Sequence, residues 1–238
     1  MEGRARGVSP GPHPRAVLFD LFNTLVPGGS KDERDNVSRA MAKTLGVAPE
    51  GMATVVRDTF DDRARGNLGD LQETVLSLAQ CLGVTPSDAA VASAATLRLE
   101  MTRSLHEQTW ALSALEDLGA AGVLRGLVTD CTAETPLIWA ESSLSPHFEA
   151  VSFSCLTGHR KPEPEAYLTA VRALGVSARE CLYVGDGGSY ELSGAEALGM
   201  SAIRFQPSDD MRGDTIDEDQ NWSGIVITDL TDLVSRLA

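Results

Sequence analysis

Four residues carry chemistry that their neighbours do not: Asp20, Thr129, Lys161 and Asp186. Asp20 ends the apolar run in "AVLFDLFNTLV", Thr129 ends the run in "GLVTD", and Asp186 follows Gly185 in "VGDGGSYELSGAEALGM". Lys161 stands in "GHRKPEPEAY" and is one of only three lysines, with Lys31 and Lys43, so its place invites a reason. Taken singly, each has an ordinary reading. A strand-end Asp caps a helix or forms a turn, a lone Thr or Lys says little, and Gly185-Asp186-Gly187-Gly188 makes a tight turn. Together they say more, because open parallel sheets bind ligands at the carboxyl ends of their strands. Two carboxylates brought together repel and call for a cation. Hard oxygen ligands with one or two carboxylates suit Mg²⁺. A hydroxyl and an ammonium suit an anion. A metal and an anion held against a carboxylate describe phosphoryl transfer with a carboxylate nucleophile.

The elements that must position these groups emerge from periodicity. Arg15 to Phe19 is a short apolar strand, and "PGGS" at 27–30 separates it from the next segment. From about 33 to 107 the pattern is helical. Val37, Met41 and Leu45 share one face, ended by Gly46 and Pro49; Met52, Val55, Val56 and Phe60 share a second. Leu71, Val75, Leu78 and Leu82 form a third. Thr85-Pro86-Ser87-Asp88 opens a fourth helix, with Thr85 as cap and Pro86 in the first turn, carrying the stripe Ala90, Ala94, Leu97, Met101 and Leu105. This gives four helices with no strand among them. Beyond 110 strands alternate with helices. Strands are expected at 122–128, 150–154, 181–184, 200–205 and 225–228, with helices at 112–118 (ended by Gly119), 135–142, 164–174, 190–198 and 230–237. The alternation predicts an α/β fold, a Rossmann-like parallel sheet with right-handed crossovers. The expected organisation is a loose tail at 1–14, a core of 15–27 with 108–238, and an inserted helical domain at 28–107.

Composition narrows the partners. The chain has 238 residues, 42% hydrophobic, enough for a sizeable core. A formal charge of -14 without a basic cluster argues against nucleic acid and anionic membrane. The N-terminus lacks the apolar stretch of a signal peptide, and no run approaches the ~20 apolar residues of a membrane span. Cys81, Cys131, Cys155 and Cys181 form no C-x-x-C pair and read as free thiols, which fits a cytoplasmic protein.

In their order and flanks, these stretches resemble the four motifs of the haloacid dehalogenase superfamily. Asp20-Leu21-Phe22-Asn23-Thr24 matches Asp-x-Asp-x-Thr, "GLVTD" the strand ending in Ser or Thr, "GHRKPEPEAY" the Lys before proline, and "VGDGGSYELSGAEALGM" the Gly-Asp motif with its second acid at Glu191. The resemblance runs from Ala16 to Ala238, and the insertion resembles that family's C1-type helical cap. It implies that Asp20 is the nucleophile and a Mg²⁺ ligand, with the Phe22 carbonyl, Asp186 and Glu191 as further ligands, Glu191 directly or through water. It implies that Thr129 and Lys161 hold the transferring group, Lys161 also neutralising the nucleophile.

One position departs from the family pattern. Phosphatases of the family carry a general acid two residues after the nucleophile, and Phe22 has no proton to give. Three readings stay open. The first is a Mg²⁺-dependent phosphatase of a small, anionic phosphorylated metabolite, working through an aspartyl-phosphate without its own acid. The second is a metal-independent 2-haloacid dehalogenase, where that position is commonly aromatic. The third is a catalytically weak protein of the same fold. Substrate choice is expected from the insertion, where "DDRARGNLGD" offers Arg63 and Arg65: an anion clamp, Arg65 foremost, or a solvated helix end. His159 is a candidate proton source or a solvated loop residue. Trp110 and "PGGS" are expected at the junction of insertion and core. The acidic loop 207–222 has no assigned role.

Overall fold

The computed structural model describes residues 14–206, 218–220 and 222–237. The tail at 1–13 and most of the acidic loop therefore lie outside the described residues. Six strands form one parallel sheet: β1 (Ala16–Phe19), β2 (Leu124–Thr129), β3 (Ala150–Phe153), β4 (Cys181–Gly185), β5 (Ser201–Phe205) and β6 (Ile225–Ile227). Their order is β3-β2-β1-β4-β5-β6. The strand order reverses between β1 and β4, where doubly wound sheets bind ligands. Every residue of β1 and of β4 is buried, as expected of central strands covered on both faces. The register sets Phe19 against Val184, and the Asp20 N–H donates to the Val184 carbonyl at 2.9 Å. The nucleophile candidate and the Gly185-Asp186 turn are thereby fixed side by side.

Helices lie between these strands. The segment before β2 carries α1 (Lys31–Leu45), α2 (Pro49–Asp58), α3 (Phe60–Ala64), α4 (Leu71–Cys81) and α5 (Asp88–His106), then α6 (Leu112–Ala120). After β2 come α7 (Glu134–Trp139), α8 (Ser154–Thr157), α9 (Pro164–Leu174), α10 (Glu191–Ala197) and α11 (Asp232–Leu237). One face of the sheet packs around Phe19, Leu115, Leu118 and Val184, the other around Leu18, Tyr167, Tyr183 and Leu192. Helices α1, α2, α4 and α5 share a separate core built on Met41, Met52, Val75, Leu78 and Ala94.

Several local expectations shift. The insertion holds five helices among the described residues, because Thr59, whose hydroxyl returns to the Val55 carbonyl, ends α2 and a new turn begins at Phe60. The cap of α5 is Ser87, which accepts from the Ala90 N–H, so Pro86 precedes the helix and Thr85 does not cap it. Gly119 lies inside α6. The left-handed residue that ends the helix is Gly122, with φ 75°, and β2 accordingly begins at Leu124.

Candidate active site

Lys161 reaches from the loop before α9 into the reversal point of the sheet. Its ammonium donates to Asp20 Oδ1 at 2.5 Å and to Glu191 Oε2 at 2.6 Å. All three residues are buried. Asp130, next to Thr129, holds the loop by accepting from the Lys161 backbone N–H at 2.9 Å. Glu191 enters from the first turn of α10. The Tyr183 hydroxyl donates to its Oε2 at 2.8 Å, and the Gly187 N–H donates to its Oε1 at 2.9 Å. Gly185 is needed here: a Cβ on it would stand 2.0 Å from Glu191 Oε1. Asp186 accepts from the Gly188 N–H and from the Asn23 side-chain amide.

The electrostatics reflect that crowding. Burial pushes Asp20 up to about 6, against the pull of Lys161 and with a further push from Asp186. Burial likewise pushes Glu191 up to about 8, Lys161 again opposing and the two aspartates adding. Burial alone would lower the Lys161 ammonium, but Asp20, Glu191 and Asp130 hold it well above its ordinary value. One ammonium is too little positive charge to keep all three carboxyl groups ionised.

That shortfall is what a divalent cation would supply. Ligand oxygens of Asp20, Asp186 and Glu191 lie within 4.8 Å of one another. The turn after β1 leaves the Phe22 carbonyl out of its hydrogen bonds, which fall on Leu21 and Val26. Hard oxygen donors of this kind fit Mg²⁺. Glu191 fits less directly, since both its oxygens already accept hydrogen bonds, and contact through water suits it better. Thr129 is buried, and its hydroxyl finds no hydrogen-bond partner among the described residues. An orphaned buried hydroxyl is uncommon, and it fits a site made for an anion.

Phe22 lines the cavity and is half-buried. Its ring meets His106 edge-on at 6.3 Å, and His106 meets Trp139 in the same way at 6.3 Å. His106 is buried, and neither ring nitrogen has a hydrogen-bond partner among the described residues. The place where a general acid would stand is thus the end of an aromatic stack.

The cavity, about 570 Å³, lies between the strand ends and the helical segment. The core contributes Asp20, Phe22, Asp130, Lys161 and Asp186; the helices contribute Val56, Phe60, Arg63, Arg98, Met101 and Leu105. Arg65, expected at the substrate, is not among the lining residues. Its guanidinium binds Asp61 at 3.0 Å, Glu163 at 2.6 Å and the Gly158 carbonyl at 3.2 Å. Arg160 binds Asp61 at 2.6 Å and Asp130 at 3.2 Å. These contacts tie α3 to the loop that carries Lys161. Arg63 is no solvated helix end either, for it is buried in the cavity wall. His159 is exposed, lies 3.2 Å from Glu163 and does not line the cavity. The Trp110 ring N–H donates to the Thr24 carbonyl at 3.0 Å, and "PGGS" is held by Asn23, whose side-chain oxygen accepts from the Gly28 N–H. Lys31 is exposed at the cavity rim and paired with Asp35.

The sequence alone does not single out Asn23, Tyr183 or the Arg98–Glu134 pair. Asn23, left-handed at φ 60°, joins the turn after β1 to Asp186. Asn tolerates that backbone, and this was the available signal.

Comparison with known proteins gives the family. The family described as haloacid dehalogenase-like hydrolase matches residues 14–199. The chain belongs to this family of hydrolases. It is 28% identical over 210 residues to a glyceraldehyde 3-phosphate phosphatase of Methanopyrus kandleri, covering 81% of this chain and 84% of the relative. Among solved structures, a HAD phosphatase from Thermococcus onnurineus superposes with a TM-score of 0.63 at 21% identity, covering 94% of this chain and 97% of the other. An L-2-haloacid dehalogenase from Xanthobacter autotrophicus superposes with a TM-score of 0.61 at 20% identity, covering 93% and 97%. At such identities the superpositions speak for the fold alone. No helix among the described residues is long and apolar enough to cross a membrane.

Proposed function

We propose that this hydrolase is a Mg²⁺-dependent phosphatase of small phosphorylated metabolites, with Asp20 as nucleophile and the helical segment 31–106 as a cap over the site. The observation that carries the reading is the buried cluster of Asp20, Asp186 and Glu191, with the Lys161 ammonium bound to Asp20 and Glu191. A carbon-attacking dehalogenase needs no metal, whereas Asp186 and Glu191 beside Asp20 suit one. The sequence relative named as a phosphatase supports the same choice.

In this reading Asp20 attacks phosphorus and the ester oxygen departs, leaving an acyl phosphate on Asp20. Water then attacks that phosphorus and breaks its bond to Asp20, freeing phosphate and restoring the carboxylate; the proton this water gives up to solvent balances the one the departing oxygen takes from solvent. Lys161 holds the oxygen of Asp20 that does not attack and steadies the charge gathered on the phosphoryl group. Thr129 supplies a hydrogen bond to a phosphoryl oxygen. Mg²⁺, held by Asp20, Asp186 and the Phe22 carbonyl with Glu191 behind, would supply the charge neutralisation that phosphoryl transfer requires.

The test is a panel of phosphate monoesters and 2-haloacids assayed with Mg²⁺ and in EDTA, on the wild type and Asp20→Asn. Phosphate release that requires Mg²⁺ and vanishes in Asp20→Asn is expected. Halide release in EDTA would instead establish the dehalogenase reading, to which the aromatic stack at Phe22 belongs.

A further inference from the structure

We infer that Arg63 forms, with Arg98 beside it, a subsite for a second anionic group of the substrate. The favoured substrates are then phosphate monoesters bearing a carboxylate or a second phosphate at the end remote from the scissile bond. This rests on the phosphatase reading for its reaction but on separate residues for its evidence in the fold.

Arg63 is only 5% exposed. Its Nη2 donates to the Val56 carbonyl at 2.5 Å and its Nε lies 3.4 Å from the Thr59 hydroxyl. Both are neutral acceptors in its own stretch of chain. Among the described residues it makes no ion pair. A buried cation with no counter-charge of its own is costly to keep charged. The one carboxylate near enough to matter is Glu134, and that group is already bound by Arg98 and by the Thr132 hydroxyl. Two guanidinium groups therefore share one carboxylate on the same wall. Burial, and after it Arg98, lower the Arg63 guanidinium to about 9, with Glu134 opposing, so it stays charged at neutral pH.

The surroundings strengthen the case. Val56, Phe60, Met101 and Leu105 line the cavity with Arg63, and apolar walls make an ionic contact stronger than it would be in water. The Arg63 guanidinium lies 5.7 Å from the centre of the Phe60 ring, which holds it in place. A fixed planar guanidinium suits two-oxygen anions, carboxylate or phosphate alike. The cationic wall belongs to the helical segment, whereas Lys161 and Thr129, proposed for the transferring phosphate, belong to the core. One substrate would thus need an anionic group for each.

The experiment uses three substrates of one skeleton: glycerol 3-phosphate, 3-phosphoglycerate and glycerol 1,3-bisphosphate. With Mg²⁺, the wild type should favour the two substrates that are anionic at both ends over glycerol 3-phosphate by roughly 10–10² in kcat/KM, the worth of a charged hydrogen-bonded contact. The ratio should collapse toward one in Arg63→Gln, chiefly through KM, and recover in part in Arg63→Lys. The carboxylate and bisphosphate arms separate the two anion types. A preference for glycerol 3-phosphate, or an unchanged ratio in Arg63→Gln of wild-type melting temperature, overturns the inference and leaves the phosphatase reading standing. Calorimetric titration of 3-phosphoglycerate into Asp20→Asn, with and without Arg63→Gln, removes turnover from the question. Binding lost only with Arg63→Gln upholds the subsite even if no ester is hydrolysed, and binding indifferent to Arg63 rejects it. Should Arg63→Gln fail to fold, Arg63→Lys takes its place: the ratio should fall part of the way, because a point charge keeps the attraction but not the two-oxygen contact, and an unchanged ratio overturns the inference.

Discussion

At the scale of single residues, the phosphatase reading turns on Phe22. It offers no proton to a departing oxygen, and the ring behind it is that of buried His106, whose nitrogens have no hydrogen-bond partner among the described residues. His159, the proton source considered from sequence, is turned to Glu163 outside the cavity. The rate should therefore depend steeply on the leaving-group pKa, aryl phosphates outpacing alkyl phosphates of similar fit. Phe22→Asp should flatten that dependence and raise alkyl phosphate hydrolysis by about 10²-fold, the usual worth of a positioned acid. The substitution has a cost, since a fourth carboxylate joins the site and the edge-on contact to His106 is lost, about 0.5–1.5 kcal/mol for an aromatic pair. The measurement is the slope of log kcat/KM against leaving-group pKa for both proteins. A shallow wild-type slope, or no gain in a folded Phe22→Asp, would count against a missing acid.

At the scale of elements, α3 shows what the sequence could and could not disclose. Asp20, Thr129 and Asp186 stand out in the sequence because each ends or closely follows an apolar strand run, Lys161 because lysine is rare, and Glu191 only through the family resemblance; the fold brings Asp20, Lys161, Asp186 and Glu191 together. Arg63 and Arg65 were not separable as a loop pair. Once Phe60–Ala64 is a helical turn, helical spacing separates them: Arg63 is three residues from Phe60 and shares its face, whereas Arg65, five away, points elsewhere. Asn23 was illegible for a different reason, because its partner Asp186 is 163 positions along the chain and meets it only when β1 and β4 pair. The contacts of Arg65 make it a tie between α3 and the loop of Lys161. Arg65→Ala should therefore lower kcat/KM several-fold and by the same factor for glycerol 3-phosphate and 3-phosphoglycerate, with a stability loss below about 1 kcal/mol, as for partly exposed ion pairs. An effect confined to 3-phosphoglycerate would return Arg65 to the substrate.

At the scale of the whole molecule, the link between helical segment and core runs through a titratable group. His106 is the last residue of α5, packed between Phe22 of the first core loop and Trp139 of α7. Burial, with no charged group acting on the ring, lowers its pKa from 6.5 to about 4. The unfolded chain then takes up a proton before the folded one does. The stability contributed by the neutral ring is complete above pH 6.5 and is lost as pH falls from 6.5 toward 4. Between about pH 7.5 and pH 5 the loss from this residue comes to about 2 kcal/mol. Asp20 and Glu191, both raised, act in the opposite sense in the metal-free chain: the folded state holds their protons more firmly, so their contribution grows as pH falls. A single stability curve would blend the two trends. His106→Phe keeps the aromatic stack and the carboxylates while removing the imidazole, so the difference between the two proteins isolates the histidine. Urea unfolding of wild type and His106→Phe in EDTA, at steps from about pH 7.5 to 5, should show the variant gaining about 2 kcal/mol on the wild type across that range. Parallel curves would mean that the ring titrates in the fold as it does in the unfolded chain, and that the junction of the two parts is open to water.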